Sequence, residues 1–136
     1  MAASENGQRY VIVAADDDED ILSLVAFRLG RAGHEVVTAR DGEEALGLVQ
    51  SRAPDLVILD VRMPKMTGID VVRALRQVEA TKTVPVILLT ASVQEESVKD
   101  GFDAGADDYI KKPFSPQELV TRVETILKRG KPGFPR

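Results

Sequence analysis

Five side chains in this sequence could do chemistry together: Asp16, Asp17, Asp60, Thr90 and Lys112. Each stands directly after, or close behind, a short apolar run. Asp16 and Asp17 follow Tyr10–Ala15, Asp60 follows Leu56–Leu59, Thr90 follows Val84–Leu89, and Lys111 and Lys112 follow Tyr109–Ile110. Taken singly, each has an ordinary reading. An acid run such as Asp16–Asp20 is usually a solvated helix start, Asp60 a loop or capping acid, Thr90 a strand residue and Lys112 a surface lysine. Their joint placement at strand ends is what points to a site. Three carboxylates in one cleft repel. At ~4 Å, two unit charges interact at about 4 kcal/mol even with an effective dielectric near ~20. Protonation or a cation must compensate. Oxygen ligands without His or Cys suit a hard ion, so Mg²⁺ is the better candidate. A carboxylate beside Mg²⁺ and a lysine is equipped to attack a phosphoryl group, with the cations neutralising its oxygens. Asp60 is the expected phosphoacceptor and Lys112 the counter-charge. The Thr90 hydroxyl can hydrogen-bond a phosphoryl oxygen, and the small Ala91 leaves that group open to donor or water. Asp18, Glu19 and Asp20 are assigned to the helix start.

The elements that must position these residues follow from periodicity. The runs 10–15, 56–59 and 84–89 are almost wholly apolar, like strands buried on both faces of a parallel sheet. Glu35–Ala39 and Tyr109–Ile110 are more mixed, which places them towards the sheet edges. Between the runs lie helical patterns over 19–32, 42–52, 68–80 and 93–104, and a last one after Ser115. Asp41 is placed as the cap of the second helix. Ser115, Pro116 and Glu118 read as cap, first helical residue and capping box of the fifth. Gly130 and Pro132 end it. The result is an α/β fold, (βα)5 and doubly wound, with a five-stranded parallel sheet of flavodoxin-like order 2-1-3-4-5. In such sheets the site lies off the carboxyl ends of the strands. The expected organisation is a tail over 1–8, one domain over 9–129, and a tail or linker start over 130–136.

Composition narrows the alternatives. A hydrophobic fraction of 43% supports a packed core. The net charge of −4 argues against direct nucleic-acid contact. There is no cysteine, which excludes disulfides, thiolate catalysis and Cys-based zinc sites and is compatible with a cytoplasmic location. No apolar run approaches the ~20 residues of a membrane span. The sole His34 cannot build a His-rich metal site.

The stretches Val13-Ala-Ala-Asp-Asp-Asp-Glu-Asp-Ile, Leu56-Val-Ile-Leu-Asp-Val-Arg-Met-Pro-Lys-Met-Thr-Gly, Pro85-Val-Ile-Leu-Leu-Thr-Ala and Gly105-Ala-Asp-Asp-Tyr-Ile-Lys-Lys-Pro-Phe resemble, in order and spacing, the receiver domain of two-component response regulators. The resemblance covers roughly residues 9–129. It implies that Asp60 accepts a phosphoryl group from a histidine kinase or phosphotransfer protein. It implies further that Asp17 ligates Mg²⁺, that Asp16 supports the metal, and that the main-chain carbonyl of Arg62 is another ligand. Lys112 would pair with the phosphoryl group across a cis Lys112–Pro113 bond, and Thr90 with Tyr109 would form the switch. Met63, Pro64 and Gly68 would shape the loop after Asp60, with Gly68 supplying an unusual φ. Such a domain is a regulatory phosphoacceptor rather than an enzyme. Its output would be a surface around the fourth helix, fifth strand and fifth helix, read by a downstream effector protein or by an output domain.

Thr67 departs from the usual Asp at its position, with little effect expected. Arg62 and Val93 are candidates for controlling water access and hence phosphoryl lifetime. An unchanged dephosphorylation rate in Arg62→Ala would remove that idea. Asp107, Asp108, Glu118 and Arg122 fit part of the charge pattern of regulators that dimerise through the same surface, while Val98 does not. A weak homodimer and a merely solvated face are equally compatible. The main alternative is a receiver-like interaction module that works without phosphorylation. A flavin- or nucleotide-binding protein would need a phosphate-cradling first loop, whereas this one is acidic. An aspartate-based phosphatase usually has a second Asp two residues after the nucleophile, where Arg62 stands.

Overall fold

The computed structural model describes residues 9–91 and 95–129. Five strands, β1 (Val11–Ala15), β2 (Glu35–Ala39), β3 (Leu56–Asp60), β4 (Val86–Thr90) and β5 (Asp108–Lys111), alternate with five helices. These are α1 (Glu19–Arg31), α2 (Gly42–Arg52), α3 (Gly68–Arg76), α4 (Glu95–Ala104) and α5 (Pro116–Lys128). The strands form one sheet in the order β2-β1-β3-β4-β5, every neighbouring pair parallel. The expected order and the edge placement of β2 and β5 are both observed.

Alternation along the strands feeds two cores. Ile12, Ala14, Leu56, Ile58, Ile87 and Leu89 face Leu22, Val25 and Leu29 of α1 and Leu119, Val123 and Ile126 of α5. Val13, Ala15, Val57, Leu59, Val86 and Leu88 face Ala45 and Val49 of α2 and Val71, Val72 and Leu75 of α3. Both faces of the central strands are thus covered, which is why their sequences are continuously apolar. With that pleat, sliding one strand by a residue would exchange the two cores, so the register that aligns the strand ends is strongly specified. Ala15 pairs with Leu59, and Asp60 with Leu89.

The structure corrects several local expectations. The third helix ends at Arg76 rather than near residue 80, and Val78 is exposed. The chain leaves the helix because Gln77 N–H turns back to Ala74 O and the Thr81 hydroxyl donates to Leu75 O at 2.7 Å. The fourth strand begins at Val86, since Pro85 before it has no N–H to give a ladder. Ser115 caps α5 by accepting from Glu118 N–H, but the Glu118 carboxylate pairs with Arg122 instead of closing a capping box. Of the fourth helical pattern, Val93 and Gln94 lie outside the described residues, as do the proposed tails, Gly130 included.

Candidate functional site

Asp16 is held by its position after β1. Its N–H donates to Ala39 O at 3.1 Å, and its Oδ1 accepts from Asp18 N–H at 3.0 Å. Asp18 then caps α1, accepting from Asp20 and Ile21 N–H. This turn sends Asp16 inward and leaves Asp17 exposed at the rim. Asp60, at the end of β3, is also buried. One carboxylate oxygen from each of Asp16, Asp17 and Asp60 lies within 4.8 Å of the others. Lys112 reaches the same point from the end of β5. Its N–H donates to Thr90 O at 2.7 Å, and the Lys112–Pro113 bond is cis. Lys112 Nζ stands 2.7 Å from Asp16 Oδ2 and 3.2 Å from Asp60 Oδ1.

One lysine does not balance these acids. Burial and then the charge of Asp16 push the Asp60 carboxyl up from 3.8 to about 6, with Lys112 opposing them. Burial by itself lowers the Lys112 ammonium, but Asp16 and Asp60 more than offset that and hold it above its ordinary value. Asp16 Oδ2 meets Lys112 as an ion-pair contact without an aligned hydrogen bond, so this buried oxygen retains unused acceptor capacity. An all-oxygen donor set, excess negative charge and an incompletely satisfied buried oxygen fit a small divalent cation. Asp16, Asp17 and Asp60 are the side chains available to hold it.

Thr90 is buried at the end of β4, and Ala91 after it is exposed. Tyr109 lies one strand over, half-buried, its ring 5.7 Å from that of Phe102 on α4. Arg62 is exposed, while Met63 is buried. Gly68 does not have the unusual φ expected of it; among the described glycines only Gly33 and Gly105 have positive φ. Its role is close approach, because a Cβ there would sit 2.3 Å from Asp60 O.

A family profile for the response regulator receiver domain matches residues 12–124. The chain belongs to this family. Among curated relatives, this receiver is 44% identical over 124 residues to the alkaline phosphatase synthesis transcriptional regulatory protein PhoP of Bacillus subtilis, covering 91% of the chain and 51% of the relative. It is 47% identical over 119 residues to the transcriptional regulatory protein CpxR of Escherichia coli, covering 88% and 50%. The chain thus spans about half the length of the curated relatives it matches. Among solved structures, a chemotaxis response regulator of Vibrio cholerae superposes with TM-score 0.84 at 36% identity, covering 88% of this chain and 99% of that one. A BeF3-activated DrrB receiver domain gives 0.80 at 38%, covering 90% and 100%. Receivers of this kind are signalling modules rather than classical enzymes.

Several working residues of this receiver escaped the sequence reading. Thr67 is the cap of α3: it accepts from Asp70 N–H at 3.1 Å while Asp70 accepts from Thr67 N–H at 3.2 Å. The Thr-x-x-Asp spacing was a legible signal for it. Arg76 ties three segments together, donating to Gly105 O at 2.7 Å, Val84 O at 2.7 Å and Asp107 Oδ2 at 3.2 Å. Asp107 also accepts from Val86 N–H, so it serves the fold internally. Arg122 likewise pairs with Asp108 and Glu118 of its own chain. His34 and Glu124, 90 positions apart, form a buried pair at 3.2 Å that no local pattern announces. Gly101 makes room for Tyr109, since a Cβ there would lie 2.8 Å from Tyr109 Cε2 and 2.8 Å from Leu88 Cδ1.

Proposed function

We propose that this chain is a phosphoacceptor receiver of a two-component or phosphorelay system, and that Asp60 takes a phosphoryl group from a histidine kinase or a histidine phosphotransfer protein. The observation that carries the reading is the convergence of Asp16 and Asp60 on Lys112 Nζ, at 2.7 and 3.2 Å, with Asp17 beside them, at the carboxyl end of the sheet. Mg²⁺, when bound by Asp16, Asp17, Asp60 and the carbonyl of Arg62, supplies positive charge to the phosphoryl oxygens. An oxygen of ionised Asp60 forms the new bond to phosphorus as the donor's nitrogen–phosphorus bond breaks, the electron pair staying on the imidazole. Lys112 then pairs with a phosphoryl oxygen in place of the Asp60 charge it now faces. Burial and Asp16 hold the Asp60 carboxyl up near 6 in the cation-free pocket, and a bound Mg²⁺ would favour its ionised, attacking form.

Thr90 reports the phosphoryl group by donating its hydroxyl to it, and Tyr109 moves in response. This shifts the surface of α4, β5 and α5 between two states. Pro113 and Gly68 hold the backbone beside the site, and Ala91 leaves it accessible. The relatives are named as transcriptional regulators of about twice the matched length, which supports an output carried by a further domain or a separate effector protein. The receiver itself makes no direct nucleic-acid contact in this reading, consistent with its charge of −4. Homodimerisation through α4, β5 and α5 would be weak, because Arg122, Asp108 and Glu118 already pair within the chain. Among the described residues no helix is long and apolar enough to cross a membrane, and a cytoplasmic site of action is proposed. Intact mass after treatment with acetyl phosphate and Mg²⁺ tests the core claim. One added phosphoryl group is expected on wild type and none on Asp60→Ala. A gain on both rejects Asp60, and no gain on wild type favours a phosphorylation-independent interaction module.

A further inference from the structure

The N-terminus of α2 contributes no ligand to the acidic pocket, yet the loop that leaves Asp60 is seated against it. A Cβ placed on buried Gly42 would lie 2.1 Å from the main-chain oxygen of Met66, 2.7 Å from its carbonyl carbon and 2.6 Å from its Cβ. Contact that close means that the Pro64–Met66 backbone occupies the space a side chain at 42 would need. Gly42 also donates its N–H to Pro64 O at 3.3 Å. Next to it, Asp41 caps α2 and faces Lys65, with Lys65 Nζ 3.7 Å from Asp41 Oδ2. Lys65 holds a left-handed φ of 71°, and Met66 N–H turns back to Pro64 O at 2.8 Å. The loop is fastened at its other end too: Val61 N–H donates to Leu89 O at 2.9 Å, and Gly68 N–H to Val61 O at 2.9 Å. Arg62 lies between these two anchorages. Gly42 and Gly68 are two described glycines whose missing Cβ would collide with main chain, and both collisions are with the Asp60–Met66 segment.

From this packing we infer that Gly42 is a positioning residue for the phosphoacceptor pocket. By lacking a side chain it lets the Pro64–Met66 turn dock on α2, and this docking sets where the backbone from Asp60 through Arg62 runs past Asp16 and Asp17. The inference rests on the reading of the pocket as an Mg²⁺-dependent phosphoacceptor site. Because the obstructing atoms are main chain, relief in a Gly42→Ala variant requires the loop itself to move, on the order of 1 Å, a displacement large enough to matter at a preorganised site. Supporting groups of metal sites typically alter affinity by about 10- to 100-fold when removed.

The test is a Mg²⁺ titration followed by backbone amide chemical shifts, on wild type, Gly42→Ala and Gly47→Ala. Gly47 is in the same helix, but a Cβ there would meet nothing within 4 Å. It therefore controls for the general effect of replacing a helical glycine. Gly47→Ala is expected to bind Mg²⁺ as wild type does, and Gly42→Ala to bind about 10-fold more weakly while circular dichroism shows it folded. Equal affinity in all three proteins overturns the inference and leaves the phosphoacceptor reading standing. No Mg²⁺ binding and no phosphoryl gain on wild type overturns both. If Gly42→Ala does not fold, Lys65→Asn decides, since it removes the Asp41 contact while asparagine still accommodates the left-handed φ and no atom is inserted against α2. A weakening of about 3-fold, the scale of an exposed ion pair, is expected there, and wild-type affinity rejects the inference.

Discussion

Asp60→Asn should stabilise the fold in the absence of divalent cations, and only above the pH at which Asp60 ionises. The carboxyl of Asp60 is raised from 3.8 to about 6, first by burial and then by Asp16, with Lys112 only partly compensating. The folded state therefore holds this proton more tightly than the unfolded chain does. Relative to the variant, wild type has no deficit below about pH 4, loses stability as pH rises between about 4 and 6, and carries the full deficit above. At about 1.36 kcal/mol per pH unit, that deficit is on the order of 3 kcal/mol, a large share of the ~5–15 kcal/mol that holds a domain together. Asparagine keeps the shape and a hydrogen-bonding oxygen but removes the charge. Urea unfolding of both proteins at pH 4 and pH 8, with chelator present, measures the difference. The gain for Asp60→Asn should be near zero at pH 4 and of the stated order at pH 8. Adding Mg²⁺ at pH 8 should narrow the gap, because a ligand at ~100 times its Kd stabilises its receptor by about 2.7 kcal/mol. If Asp60→Asn is no more stable than wild type at pH 8, or the gap is independent of pH, the excess-charge account of the pocket is wrong.

Three further outcomes are expected elsewhere in the fold. His34 Nδ1 accepts from Tyr10 N–H at 3.3 Å, so Nε2 carries the proton and donates to Glu124 Oε1. The other Glu124 oxygen is buried without a hydrogen-bond partner among the described residues. His34→Ala should thus cost about 3 kcal/mol in urea unfolding by stranding a buried carboxylate, while Glu124→Gln should stay within about 1 kcal/mol of wild type; equal losses would contradict this. Thr67→Ala removes one half of the α3 capping box and should cost about 1 kcal/mol by the same measurement, with Mg²⁺ affinity nearly unchanged. Gly101→Ala should push the Tyr109 ring off α4, moving its ring-proton shifts and weakening its contact with Phe102, without slowing phosphorylation of Asp60. Unmoved ring protons would show that Gly101 does not form the slot.

Much of this receiver is legible one residue at a time. Strand burial on two faces needs an unbroken apolar run, so the runs 10–15, 56–59 and 84–89 declare themselves as central strands, within a residue or two of the observed bounds, and the mixed runs as edges. Parallel strands joined by right-handed crossovers leave few arrangements, and those arrangements bring the residue after each strand to one end of the sheet. That is why the sequence alone groups Asp16, Asp17, Asp60, Thr90 and Lys112. Local periodicity could not say where α3 stops, because the interactions that follow it are long-range. Arg76 finds Gly105 and Asp107 some thirty residues on, beyond β4 and α4. Nor could it pair His34 with Glu124, or show that Gly68 is demanded by Asp60 O rather than by its own φ. Sequence alone determined which groups meet, because topology is written in short-range patterns of apolarity and turn chemistry. Tertiary structure decided how they meet: that Asp16 is buried and Asp17 is not, that one lysine is shared by two carboxylates, and that the loop after Asp60 leans on α2. Those are matters of ångströms between segments distant in the chain, and only packing sets them.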